Sequence, residues 1–118
     1  MKNQTTIDVA TARAVASQKN FKRGNTSVHV NGNVVTVKLH GNVISVYKMD
    51  GWLGRPELRV TNAGYNTRTT ARRINAILSA FDATRGRVYV FIQKRQMCIT
   101  RYGGKPSLLD AETGRFTF

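Results

Sequence analysis

A chain of 118 residues, 41% of them hydrophobic, suits one globular domain with its own apolar core and is too apolar for a disordered segment. Nineteen Lys and Arg stand against six Asp and Glu, a net charge of +13 with an isoelectric point near 11.0, which excludes an acidic DNA mimic and points to polyanionic partners. The single cysteine, Cys98, excludes an internal disulfide and a cysteine-rich zinc site and fits a reducing cytoplasm, while no apolar run reaches the roughly 18 residues of a membrane span.

Residues 1–20 are polar, weakly patterned and without the apolar stretch of a secretory signal. Two readings stand for them. One is a short helix capped by Asp8 and running through Ser17, with Val9, Ala12 and Val15 or Ala16 inward; the other is a basic arm. Residues 26–61 read as a β-meander, because TSVHV, VVTVKLH, VISVYK and ELRV alternate with period two. NGN and HGN between the first three runs are tight-hairpin signals. Alternation places Val28, Val30, Val35, Val37, Leu39, Ile44, Val46, Leu58 and Val60 on one buried face. It places His29, Thr36, Lys38, His40, Tyr47, Arg59 and Thr61 on the other.

The loop TNAGYNTRTT leads into the strongest helix, about 69–82, whose Ile74, Ile77, Leu78 and Phe81 form one apolar stripe. Thr67, Thr69 and Thr70 are candidates for its N-cap. A second hairpin follows, RVYVFIQ and MCITRY around a KRQ turn, and the tail adds either a strand or an edge flap. The segments divide as an arm or helix (1–20), an α+β domain (21–105) and a tail (106–118). The fold expected is α+β, (α)ββββαββ: an antiparallel β-meander with one amphipathic helix packed on it and a C-terminal hairpin.

Catalytic chemistry is not in evidence. The carboxylates Asp8, Asp50, Glu57, Asp82, Asp110 and Glu112 are scattered, and no HExxH, GxSxG or GxxxxGK[ST] pattern occurs. His29 and His40 fall on adjacent strands, where they can face one another, but with no carboxylate or cysteine beside them they read as surface histidines. Cys98 lies in an apolar strand and reads as a buried thiol. Neither an enzyme, a metal site nor a cofactor is therefore expected.

The positive charge is uneven. Arg68 to Lys105 carries nine basic residues and one acid, Asp82. Arginine also outnumbers lysine, 12 to 7, and its planar fork suits phosphates. Arg72 points about 160° away from Ile74 around the helix, with Arg68 on its side and Arg73 on the other flank. Arg68 and Arg72 repel each other and oppose the helix dipole, and a bound phosphate would reverse both effects. In the second hairpin Arg87, Tyr89, Phe91 and Gln93 share a face, bordered by Arg85, Lys94 and Arg95, which is the make-up of a stacking platform for single strands. RGRVYVFI echoes an RNA-recognition string only in part, and the element order does not follow that fold. Trp52, beside Arg55 in MDGWLGRP, reads either as a binding tip or as a cover for the sheet edge.

VTVKLHGNVISV and LRVTNAGYNTRTTARRINAIL resemble a family of small tailed-bacteriophage proteins with a T-V-x-L-H-G-N-x-I run and an N-A-G-[WY]-x-T-x-T-T-x-x-R-[IL]-N-A-[IL]-L run. The match spans about residues 34–78 and includes Leu39 to Asn42, Asn62 to Tyr65, Thr67, Thr69, Thr70, Arg73, Asn75 and Ala76. The resemblance implies a phage origin and action in the cytoplasm of an infected bacterium, with no particular activity. Arg68, Arg72, the Trp52 loop and the tail lie outside the pattern.

The functional expectation is a non-enzymatic protein that binds DNA or RNA mainly through phosphates. Arg68, Arg72, Arg73, Arg85, Arg87, Lys94 and Arg95 would supply the charge, and Tyr89 and Phe91 the stacking surface. A host-takeover or anti-defence protein docking its basic surface on a bacterial protein is the alternative, and a minor virion component is a third class. No membrane partner is expected, and open sheet edges leave a homodimer in play.

Overall fold

The computed structural model describes residues 6–50, 54–81, 88–101, 103–110 and 113–117. The described elements run α1 (Thr6–Ser17), β1 (Phe21–Arg23), β2 (Thr26–Asn31), β3 (Val34–Leu39), β4 (Asn42–Lys48), β5 (Glu57–Val60), α2 (Arg68–Ser79), β6 (Val88–Gln93), β7 (Gln96–Arg101), β8 (Ser107–Leu108) and β9 (Arg115–Thr117). The class is α+β, an antiparallel meander with α2 packed on it. The hairpin β6–β7 does not extend the meander, however. It pairs with β8 in a separate three-stranded sheet, while the main sheet has the order β1-β2-β3-β4-β5-β9. The edge next to β5 is taken instead by β9, which returns to set Phe116 opposite Leu58.

The meander follows from its turns. His40 and Gly41 adopt φ of +51° and +79°, the left-handed pair that lets a two-residue connection match the strand twist. Between β3 and β4 the register slips: Val37 lies opposite Ser45 and Lys38 opposite Val43, leaving Ile44 as the extra residue of a bulge. Ile44 and Ser45 are both buried, and beyond them the alternation changes phase. Tyr47 therefore faces inward, level with Val35 and Leu58, and stacks on Phe81 with ring centroids 4.7 Å apart. Val46 faces outward between Thr36 and Arg59. This reverses the faces that strict alternation assigns to Val46 and Tyr47.

The N-terminal segment is a helix, and its inward face is the expected one only in part, at Val15 and the half-buried Ala12. Asp8, Thr11, Ala14 and Val15 are buried, whereas Val9 and Ala16 are exposed. Asp8 does not cap the helix; it lies inside the first turn, fully buried.

Helix α2 begins at its Thr67 cap, whose hydroxyl accepts from the Thr70 amide. Ile74, Ile77 and Leu78 are fully buried, with Phe81 partly buried beyond the helix end. The helix packs on β4 of the main sheet, on β6 of the small sheet and on α1, so one apolar core joins both sheets: Val28, Val35, Leu39 and Leu58 from one, Val88, Val90, Met97 and Ile99 from the other. Asn75 fastens the small sheet. Its amide nitrogen donates to the Val90 carbonyl (2.9 Å) and its oxygen accepts from the Val90 amide (2.8 Å), as a neighbouring strand would. The tail enters both sheets through β8 and β9. Gly114 lets it approach β5, since any Cβ there would collide with the Val60 carbonyl. Phe116 is buried, and the Arg101 guanidinium from β7 lies 4.4 Å from its ring centre.

Two charged clusters tie the elements together. In the first, buried Arg73 donates from Nη1 to Asp8 Oδ1, from Nε to Thr26 Oγ1 (2.8 Å) and from Nη2 to Asn25 Oδ1 (3.3 Å), joining α2 to α1 and to the start of β2. In the second, Glu57 lies between two arginines on the outer side of the main sheet: Arg59 Nε donates to Oε1 (2.9 Å) and Arg115 Nε to Oε2 (3.0 Å). Burial pushes the Glu57 carboxyl up, but Arg115 and then Arg59 more than reverse this and hold it below its ordinary 4.5.

Each cluster makes a prediction. Arg73→Met leaves the Asp8 carboxylate buried beside a lost partner and should cost about 3–5 kcal/mol in chemical denaturation, while the Asp8→Leu/Arg73→Met double variant should recover most of that loss. Equal loss in the single and double variants would show that the pair is not what α1 depends on. For Glu57 the folded pKa lies below the unfolded one. Its stabilisation is therefore complete above the unfolded value and lost as pH falls through the folded value. The Tm gap between wild type and Glu57→Gln should be present at neutral pH and close in acid; a pH-independent gap would refute the assignment.

Candidate nucleic-acid interface

The start of α2 is held by its own loop. Gly64 N–H donates to Asn62 Oδ1 (2.9 Å), Asn62 Nδ2 donates to Asn66 Oδ1 (2.8 Å), and the Met97 amide of β7 donates to the same Asn66 oxygen (3.0 Å). The first turn of α2 is thereby fixed beside the start of β7. Because Met97 follows the β6–β7 turn, the tip of that hairpin lies at the same end of the molecule as Arg68.

Along this flank an open groove of about 520 Å³ runs between α2 and β6, lined by Arg68, Ala71, Arg72, Asn75, Phe91 and Ile92. Arg68 is exposed. Arg72 is partly exposed, with Nε 3.9 Å from Asp8 Oδ2, in ion-pair range but beyond a hydrogen bond. One carboxylate, already engaged by Arg73, thus faces two guanidinium groups, and positive charge remains at the groove. The first turn of α2 contains no acidic residue. Its dipole adds to the same sign.

Tyr89 and Phe91 project from the same side of β6, with centroids 5.9 Å apart and planes tilted by 45°. Tyr89 is 50% exposed, while Phe91 is partly covered at the groove wall. At the hairpin tip Lys94 and Arg95 are exposed, and both adopt positive φ, +52° and +63°. A turn of this kind is relaxed with Asn-Gly; two long cationic side chains hold it at a local cost.

The structure therefore brings Arg68, Arg72 and Phe91 to one groove, with Tyr89 beside Phe91 on β6 and Lys94 and Arg95 in the turn that follows β6. Arg73 is not among them. At 3% exposure it is the interior partner of Asp8, which corrects its expected place at the surface. The reason is the helical turn itself: Arg73 follows Arg72 by 100° and so faces α1 instead of the groove. Arg85, Arg87 and Trp52 lie outside the described residues. His29 and His40 do not meet: His29 lies opposite Thr36 on the outer face, and His40 sits in a turn with Nε2 3.4 Å from Asn25 Nδ2. Cys98 is buried in β7, opposite Phe91 and Leu108. Sequence reasoning missed the groove because its two walls are remote in the chain. The signal was Asn75, a polar residue on the arginine side of α2.

A second depression, about 490 Å³, is lined by Leu39, His40, Asn42, Asn62, Ala63, Tyr65, Thr67, Thr69 and Thr70, with Ile44. The two halves of the LHGN and NAGY pattern therefore meet in space. The tasks visible for them are local: a hairpin turn, a loop with Ala63 and Gly64 at positive φ, and a helix cap.

Among the described residues no helix is long and apolar enough to cross a membrane. No curated protein and no solved structure matches the chain. A family model does: the one described as Kyanoviridae Gp96 protein matches residues 4–116. The match covers nearly the whole chain, both sheets and both helices included, and the protein accordingly belongs to the Kyanoviridae Gp96 family of small tailed-phage proteins.

Proposed function

We propose that this phage protein binds nucleic acid, DNA or RNA, without catalysing a reaction, and does so in the cytoplasm of the infected bacterium. The observation that carries the reading is the groove in which Arg68 and Arg72 at the start of α2 face Phe91 of β6. Phosphates would sit on the two arginines and the helix N-terminus. An unpaired base would stack on Tyr89 and Phe91, and Lys94 and Arg95 would hold the backbone as it leaves the groove. Such contacts position a strand without reading its sequence. An acidic face on a bacterial protein is the rival ligand for the same charge, the route a host-takeover or anti-defence protein would use.

Binding of mixed DNA and RNA oligonucleotides should weaken steeply with salt, and Arg68→Gln/Arg72→Gln should lower the log–log slope by about two. No binding at low salt, or a flat slope, would refute the reading. A stoichiometric protein captured from nuclease-treated lysate in that case would favour the rival. The hairpin tip supplies a second test. Lys94→Asn/Arg95→Gly should raise stability by about 1 kcal/mol, because it relaxes both positive φ angles. The same change should weaken nucleic-acid binding. Tighter or unchanged binding would remove the tip from the interface.

A further inference from the structure

The main sheet has a second basic surface, on the side away from the helices. Core residues of this sheet lie on its helix side, and on the other face every outward residue of β1 to β4 is at least partly exposed, while Glu57 of β5 is buried beneath its arginine partners. Strand pairing sets these residues in rows. Lys22, Ser27, Lys38 and Val43 cross the sheet in one row, and His29, Thr36, Val46, Arg59 and Arg115 cross in the next. Lys48 stands in a third row between Val34 and Glu57. Among the described residues the face carries five cations, Lys22, Lys38, Lys48, Arg59 and Arg115, against one carboxylate. That carboxylate, Glu57, is already held between Arg59 and Arg115. Asp110 borders the face beside Arg59.

Six strands at the usual spacing make this surface about 24 Å wide. It presents no Phe, Tyr or Trp among the described residues, only cations around a neutral strip of Ser27, Thr36, Val43 and Val46. The cations described on this surface complement a line of phosphates. The α2–β6 groove is built from elements on the helix side of the same sheet, so the sheet lies between the two basic surfaces.

We infer that the open sheet face binds the backbone of a second nucleic-acid segment, so that one molecule bridges two. The inference takes the class of ligand from the reading above; the second surface is its own observation. Two short duplexes with single-stranded overhangs, one carrying a donor dye and one an acceptor, report it when mixed with the full chain at a concentration where sedimentation shows a monomer. Energy transfer should rise at low protein and fall again when protein is in excess, as each duplex fills with its own molecules. Lys22→Gln/Lys38→Gln/Lys48→Gln should still bind one duplex by anisotropy, with a salt slope lower by about three, and lose the transfer signal. Wild-type binding to a single duplex with no transfer overturns this inference and leaves the groove reading intact. Transfer that survives the triple substitution also overturns it, since bridging would then come from another surface or a dimer. No nucleic-acid binding at low salt overturns both.

Discussion

The contact between Asp8 and Arg73 is where the layers of this protein meet. It joins α1 to α2, and the same guanidinium reaches Thr26 and Asn25 at the start of β2. Helix α1 has few large apolar residues to hold it, with Val15 buried and Val9 exposed. Removing two charges from water is costly, and the cost is met only when the remaining donors and acceptors are also engaged, as they are here. With α1 fixed in this way, α2 is covered on one flank and open on the other. The open flank becomes the groove.

The same pair shapes the electrostatic field. Of six carboxylates in the chain, Asp8 and Glu57 are buried against arginines. They neutralise interior or sheet-bound guanidinium groups and add little negative charge outside. The surface is thus more one-sided than the composition alone conveys, and the groove and the outer sheet face are two of the places that carry its cations. Like charges so placed oppose the compact state and favour a polyanion beside it. Lys94 and Arg95 make the same point locally, in a turn where smaller residues would fit with less strain.

The second structural device is the bulge at Ile44. By inserting one residue, it turns Tyr47 inward against Phe81 and Val46 outward. The inner face gains an aromatic contact to the end of α2. The outer face gains a neutral strip between its cations. A single irregularity therefore serves both the core and the open surface.

Much of this was legible in the residues themselves. Period-two alternation marked the meander, the Ile74–Phe81 stripe marked α2, and Thr67 marked its cap, because backbone geometry and local hydrogen bonding act within a few residues of chain. The strings around His40 and Asn62 pointed to a small tailed-phage family for the same reason: they encode turns and caps, which are local. What the chain's own pattern could not decide was which arginine lies inside. Arg72 and Arg73 are neighbours with identical chemistry set 100° apart by the helical turn, and only the packing of α1, with Asp8 65 residues away, decides which of the two flanks is covered. The separate small sheet, the phase change at Ile44 and the bare outer face of the main sheet were likewise settled by strand pairing across the fold. Long-range pairing depends on which edges and faces are already occupied, and that is a property of the assembled structure, absent from any stretch of its sequence.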